Sequence, residues 1–86
     1  MFPLRVSGKM PLEKIEALPA VIREEVSRGQ DVRFDRASFQ KFDSPAHVWE
    51  VVFHVLRADI GLHMDRQHEV NFALHKRFLK EGIEIA

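Results

Sequence analysis

Apolar residues change their spacing along this chain in a regular way. Phe2, Leu4 and Val6 alternate, as on one face of a short strand, and Pro3 places that strand at an edge or a strand start. Ser7-Gly8-Lys9-Met10 reads as a turn. Leu12, Ile15, Leu18, Ile22 and Val26 then recur at spacings of three and four. This predicts a helix over 11–28, with Pro11 in its first turn, Pro19 bending its middle and Gly29 supplying the stop. From Asp31 to Phe42 the period returns to two. Val32 and Phe34 lie in one phase and Ala37 and Phe39 in the other, which predicts a bulge near Asp35–Arg36. Phe42-Asp43-Ser44-Pro45 is turn chemistry. His47 to Val55 is the cleanest strand: Trp49, Val51, Phe53 and Val55 share one face, and Val48, Glu50, Val52 and His54 share the other.

Arg57 to Gly61 reads as a loop. A second helix follows, from Leu62 or His63 to Glu81. Val70, Leu74 and Phe78 form one stripe of it, and His68, Phe72, His75 and Leu79 form another, roughly 100–180° away. We read the first stripe as core and the second as facing a neighbouring subunit. Gly82 suits the left-handed turn that ends a helix, and Ile83-Glu84-Ile85 alternates as a strand does. The order strand, helix, strand, strand, helix, strand predicts an α+β, ferredoxin-like β-α-β-β-α-β fold. Its expected form is one four-stranded antiparallel sheet with two helices on one face. Trp49, Val51, Phe53, Val70, Leu74 and Phe78 are the predicted core.

With 86 residues the chain is expected to form one domain, 1–86. Thirteen basic residues balance thirteen acidic ones, which argues against an electrostatically driven nucleic-acid binder. The absence of cysteine removes disulfides, thiol catalysis and thiolate metal sites. No window reaches the ~20 apolar residues of a membrane helix, so any membrane role must come from other sequence.

The five histidines do not make a convincing metal site. His68 and His75 are seven apart, about 10 Å along a helix, whereas a chelating helical pair is usually four apart. Asp31, Asp35, Asp43, Asp59 and Asp65 fall at the edges of elements and read as turn and cap residues, with Asp65 as a first-turn acid. No nucleophile motif and no glycine-rich phosphate loop is present. We expect no catalytic residue, no cofactor and no metal.

Five segments resemble, in order, the C-terminal cytoplasmic α/β domain of the small-conductance mechanosensitive ion channel family. Pro11-Leu12-Glu13-Lys14-Ile15-Glu16-Ala17-Leu18-Pro19 is similar to the Pro-x-Glu-Lys-Ile/Leu-Glu opening of that family's first helix, internal proline included. Asp31-Val32-Arg33-Phe34-Asp35-Arg36-Ala37-Ser38-Phe39 resembles its Val-Arg-Phe-Asp-Arg-Ala-His-Phe strand. Phe42-Asp43-Ser44-Pro45 stands at its turn, and Trp49-Glu50-Val51-Val52-Phe53-His54-Val55 resembles Phe-Glu-Val-Val-Tyr-Tyr-Val. Met64-Asp65-Arg66-Gln67-His68-Glu69 and the helix that runs to Glu81-Gly82-Ile83-Glu84 resemble its last helix and strand. Ser7-Gly8-Lys9-Met10 departs from the family's Thr-Pro helix start. His54, His63 and His75 stand where aromatic or polar residues are more usual.

The resemblance implies a fragment of a larger membrane channel, on the cytoplasmic side of the cell inner membrane. It implies a homoheptamer whose subunits wall a vestibule and whose pore opens under tension to release ions and small solutes in hypo-osmotic shock. The chain ends before that family's Phe-Pro step and lacks its membrane helices. In that picture the expected subunit interface is Phe72, His75 and Leu79, with Val48, Val52 and His54 on the sheet's other face. The alternative is a stand-alone module that binds a small ligand or dimerises edge to edge.

Overall fold

A computed structural model describes residues 2–85. The elements are β1 (Phe2–Ser7), α1 (Leu12–Ser27), β2 (Val32–Asp43), β3 (Ala46–Val55) and α2 (Ile60–Glu81). The strands form one antiparallel sheet in the order β1-β3-β2. Both helices supply side chains to the same core as Val6, Trp49, Val51 and Phe53, so they cover one face of the sheet.

The expected fourth strand does not form. Among the described residues the sheet has three strands, and the segment after α2 adds a single antiparallel bridge, Val6 to Ile85. The Ser7 amide donates to the Glu84 carbonyl at 2.8 Å. One cause is local. The period of two turns the backbone polar groups of Arg5 and Pro3 to the same side as Ser7, and Pro3 has no N–H to offer. The rest of the β1 edge therefore offers a partner strand few bonds.

β2 carries the expected bulge, with Asp35 as the extra residue between Phe34 and Arg36. A second one, between Phe39 and Lys41, was not predicted. Each extra residue inverts the alternation. The face that packs under the helices is therefore Val32 and Phe34, then Ala37 and Phe39. The hairpin closes through Ser44 and a cis Pro45.

Helix α1 begins after Pro11, which caps it by backbone geometry alone, without a side-chain bond. The helix continues through Pro19. Gly29 is not the left-handed residue beyond it: Asp31 takes that conformation, with φ 56°. Helix α2 starts two residues earlier than the pattern suggests. Asp59 is its cap, and the Asp59 Oδ1 accepts from the Leu62 amide at 3.2 Å. Asp65 thus lies in the second turn rather than the first. At the other end Gly82 is left-handed, φ 72°, and the Ile83 amide closes the helix on the Phe78 carbonyl at 2.8 Å.

Val70, Leu74 and Phe78 are buried against Leu18, Val21, Ile22 and Val26 of α1. The helices are also joined at their rims. Lys14 Nζ donates to the Glu81 carbonyl at 2.7 Å and to the Gly82 carbonyl at 3.3 Å, meeting the negative end of α2. Arg77 Nη1 donates to Glu24 at 2.8 Å and to the buried Glu25 at 2.9 Å. Hydrogen bonds to those carboxylates raise the Arg77 pKa further above its already basic value, so the guanidinium keeps its charge at every working pH.

Phe78 is 1% exposed and Phe72 is 65% exposed. Phe78→Ala should therefore cost ~3–5 kcal/mol, and Phe72→Ala under about 1 kcal/mol, in urea titration of the monomeric chain. Equal losses would contradict the separation of the two stripes. Arg77→Met should lower the urea midpoint, because it removes the hydrogen-bonded partner of the buried Glu25 and leaves that carboxylate only the exposed Arg28 at 3.6 Å. Adding Glu25→Leu to that variant should recover part of the loss.

Candidate interaction surfaces

Helix α2 has a buried stripe and a free ridge. Phe72 and Leu79 are 65% and 71% exposed, and Met64, one turn before His68, is exposed as well. His68 and His75 complete the ridge, and the His68 ring lies 4.8 Å from that of Phe72. The helix packs this way because its core stripe already reaches the sheet. A helix of 22 residues on a three-stranded sheet can bury only one side. His75 borders an apolar groove between α2 and the open edge of β1, lined also by Phe2, Leu4, Leu74, Phe78 and Ile85. On the opposite flank of the ridge, Glu69, Lys76 and Lys80 border a groove toward Glu25 and Arg28 of α1.

The sheet's other face has a different character. Among the described residues no element covers it, yet Val48 and Val52 are 6% and 8% exposed. Their cover is the chain's own long side chains. Arg5 and Lys41 are the cross-strand neighbours of Val48, and Arg36 is that of Val52. The stems of such residues lie over apolar surface while the charges stay in water. Two of the charges are paired, Arg5 with Asp43 at 2.6 Å and Arg36 with Glu50 at 3.6 Å, and His54 Nε2 lies within hydrogen-bond distance of Asp35 Oδ2 at 3.3 Å.

The six residues expected at an interface therefore fall into two groups. Phe72, His75 and Leu79 stand together and exposed on one ridge. Val48 and Val52 are buried beneath ion pairs and offer little apolar area, and His54 is exposed and paired with Asp35. The two groups lie on opposite sides of the domain, since α2 covers the other face of the sheet. What the sequence reading missed was the lateral reach of Arg5, Arg36 and Lys41. The alternation of β3 already carried the signal, because it sets Val48 and Val52 among charged cross-strand partners once the register is known.

Besides Arg77 Nε, two buried side-chain polar atoms, His47 Nδ1 and Trp49 Nε1, have no hydrogen-bond partner among the described residues. They sit in an aromatic cluster at the hairpin end of the sheet. Phe39 stacks within 5.2 Å of Trp49 and 4.7 Å of His47, and Phe42 packs 4.9 Å from Phe39 while itself 78% exposed. Among the described residues no three histidine or carboxylate side chains gather as they would around a metal ion. None of the described helices is long and apolar enough to cross a membrane.

Comparison with known proteins yields no protein family, no curated protein and no solved structure that matches this chain.

Asp43 has a simple pH signature. The hydrogen bond and the charge of Arg5 hold its carboxyl below the usual carboxylate range. Because the folded-state pKa is the lower one, the stabilisation is complete above the unfolded pKa and is lost as pH falls through the folded value. Urea midpoints of the wild type and Asp43→Asn should therefore converge as pH is lowered below about 4. A gap that stayed constant from pH 7 to pH 3 would contradict this origin.

Proposed function

We propose that this chain forms part of the wall of the cytoplasmic vestibule of a small-conductance mechanosensitive channel, which releases ions and small solutes on hypo-osmotic shock. The observation that carries the reading is the run of five segments, from Pro11 to Glu84, that resemble that family in order and with similar gaps. The fold is compatible with it. The segments from Asp31 to Val55 form one hairpin, and the last one forms α2 with its Gly82 stop. In this reading the domain does no chemistry. It belongs to a homoheptamer on the cytoplasmic side of the inner membrane, attached to the bilayer through sequence outside this chain. The ridge of Phe72, His75 and Leu79 is the surface we assign to contact between copies.

The test is to join the chain to the genomic sequence that flanks its reading frame. Upstream sequence should supply apolar segments of about 20 residues. The longer protein should assemble as seven copies by light scattering, and reconstituted patches should conduct when tension is applied. A stable dimer that added sequence does not alter, with no tension-gated current, would replace the channel reading with that of a stand-alone module.

A further inference from the structure

A contact that closes a ring is heterologous, so the ridge of one copy must meet a different surface of the next. The fold shows where that surface lies. Helix α2 stands on the β1 side of the sheet, with a groove between them. Helix α1 packs against β2, with the Arg23 guanidinium 6.0 Å from the centre of the Phe34 ring. The flank opposite the ridge is therefore that of α1 and β2. It displays two large exposed apolar residues, Leu12 and Phe42. Leu12 opens α1, and Phe42 shares a groove with Gly8 and Lys9 of the loop that leads into α1, so both stand at one end of the domain. Glu13 and Glu16 lie beside Leu12 in the first turns of α1. Both are exposed, and neither has a basic partner among the described residues.

The same end of the domain carries the last turns of α2. Lys14 Nζ reaches the Glu81 and Gly82 carbonyls, and toward the other end Arg66 donates to the Gln30 carbonyl, so α1 and α2 run antiparallel. Leu79 therefore lies toward the end that bears Leu12. Lys76 and Lys80 stand beside it, both exposed and without a carboxylate partner among the described residues. We propose that the ridge of one copy docks on the start of α1 of the next copy, in a ring whose axis runs along the helices. Rotation about such an axis keeps the ends of all copies level, so α2 of one copy lies antiparallel to α1 of the next. Leu79 then packs against Leu12 and Phe42 of the second copy, and Lys76 and Lys80 approach its Glu13 and Glu16. The docking surface carries free lysines where the receiving surface carries free acids, which is the complementarity that fixes partner and register.

Each copy uses two different surfaces on opposite flanks, as a closed ring requires. The exposed ion pairs are individually weak, so the apolar contact of Leu79 with Leu12 and Phe42 holds the copies and the charges select the register. The inference rests on the functional reading in taking the ridge as a surface between copies, and adds the surface that receives it.

The chain has no cysteine, so disulfide cross-linking through introduced thiols reads the contact directly. Leu79→Cys, Leu12→Cys and a collision control, Ile60→Cys at the first turn of α2, each alter an exposed side chain, and circular dichroism checks that each variant is folded. Under mild oxidation of the 86-residue chain at high concentration, an equimolar mixture of Leu79→Cys and Leu12→Cys should cross-link faster than either variant alone. It should also cross-link faster than a mixture of Leu79→Cys with Ile60→Cys. The variant carrying both Leu79→Cys and Leu12→Cys should form a ladder of multimers. Adding Lys76→Glu and Lys80→Glu to the Leu79→Cys chain should slow the mixed cross-link about threefold. Adding Glu13→Lys and Glu16→Lys to its Leu12→Cys partner should restore the rate. Leu79→Cys homodimers that outrun the mixture, a mixture no faster than the Ile60→Cys control, or charge reversals without loss and recovery would each overturn the proposal. None of these results bears on whether the longer protein conducts under tension, so the two readings fail separately.

Discussion

The structure depends on one strand being dry on both sides. β3 lies between β1 and β2, and Ala46, Val48, Trp49, Val51, Val52 and Phe53 are all buried. In a three-stranded sheet with helices on one face, only the central strand can reach this state. Its helix-facing side is covered by the two helices. Its other side is covered by arginine and lysine stems from the two edge strands. The resulting ion pairs are exposed, so each adds little energy by itself. Their larger contribution is apolar: they hold long side chains over two valines that would otherwise meet water.

That arrangement decides where α2 can present a surface. Its core stripe is anchored by Val70, Leu74 and Phe78, and its orientation is fixed at the rims. Arg77 joins it to Glu24 and Glu25, Lys14 meets its C-terminal carbonyls, and Arg66 donates to the Gln30 carbonyl at 2.9 Å. A helix held at three places along its length cannot roll. The ridge of Phe72 and Leu79 is therefore displayed in one orientation.

The expected ferredoxin-like sheet ends one strand short, and the shortfall has consequences at the β1 edge. The terminal segment arrives beside Val6, in the place a fourth strand would occupy, but contributes one bridge. Pro3 removes a donor further along the same edge. The groove between that edge and α2 stays open, with Phe2, Leu4 and Ile85 on its rim. A full fourth strand would have hidden these side chains and narrowed the space that His75 borders.

Much of this was legible in the residues. The two stripes of α2, the bulge at Asp35, the face shared by Trp49, Val51 and Phe53, and the left-handed Gly82 all follow from periodicity and from local backbone preference, which act over a few residues. The start of α2 at Asp59 was equally local but was masked by Gly61, which weakens a helical pattern without ending it. Other features needed the fold. The second bulge, at Gln40, appears only in the pairing of β2 with β3, which spans ten residue pairs and which no short window contains. The burial of Val48 and Val52 depends on which residues register sets beside them. That the segment after α2 meets β1 in a single bridge, Val6 to Ile85, depends on residues at opposite ends of the chain. Sequence alone determined where side chains repeat. Only the tertiary structure decided which of the repeating faces were covered, because coverage is a property of neighbours distant in the chain.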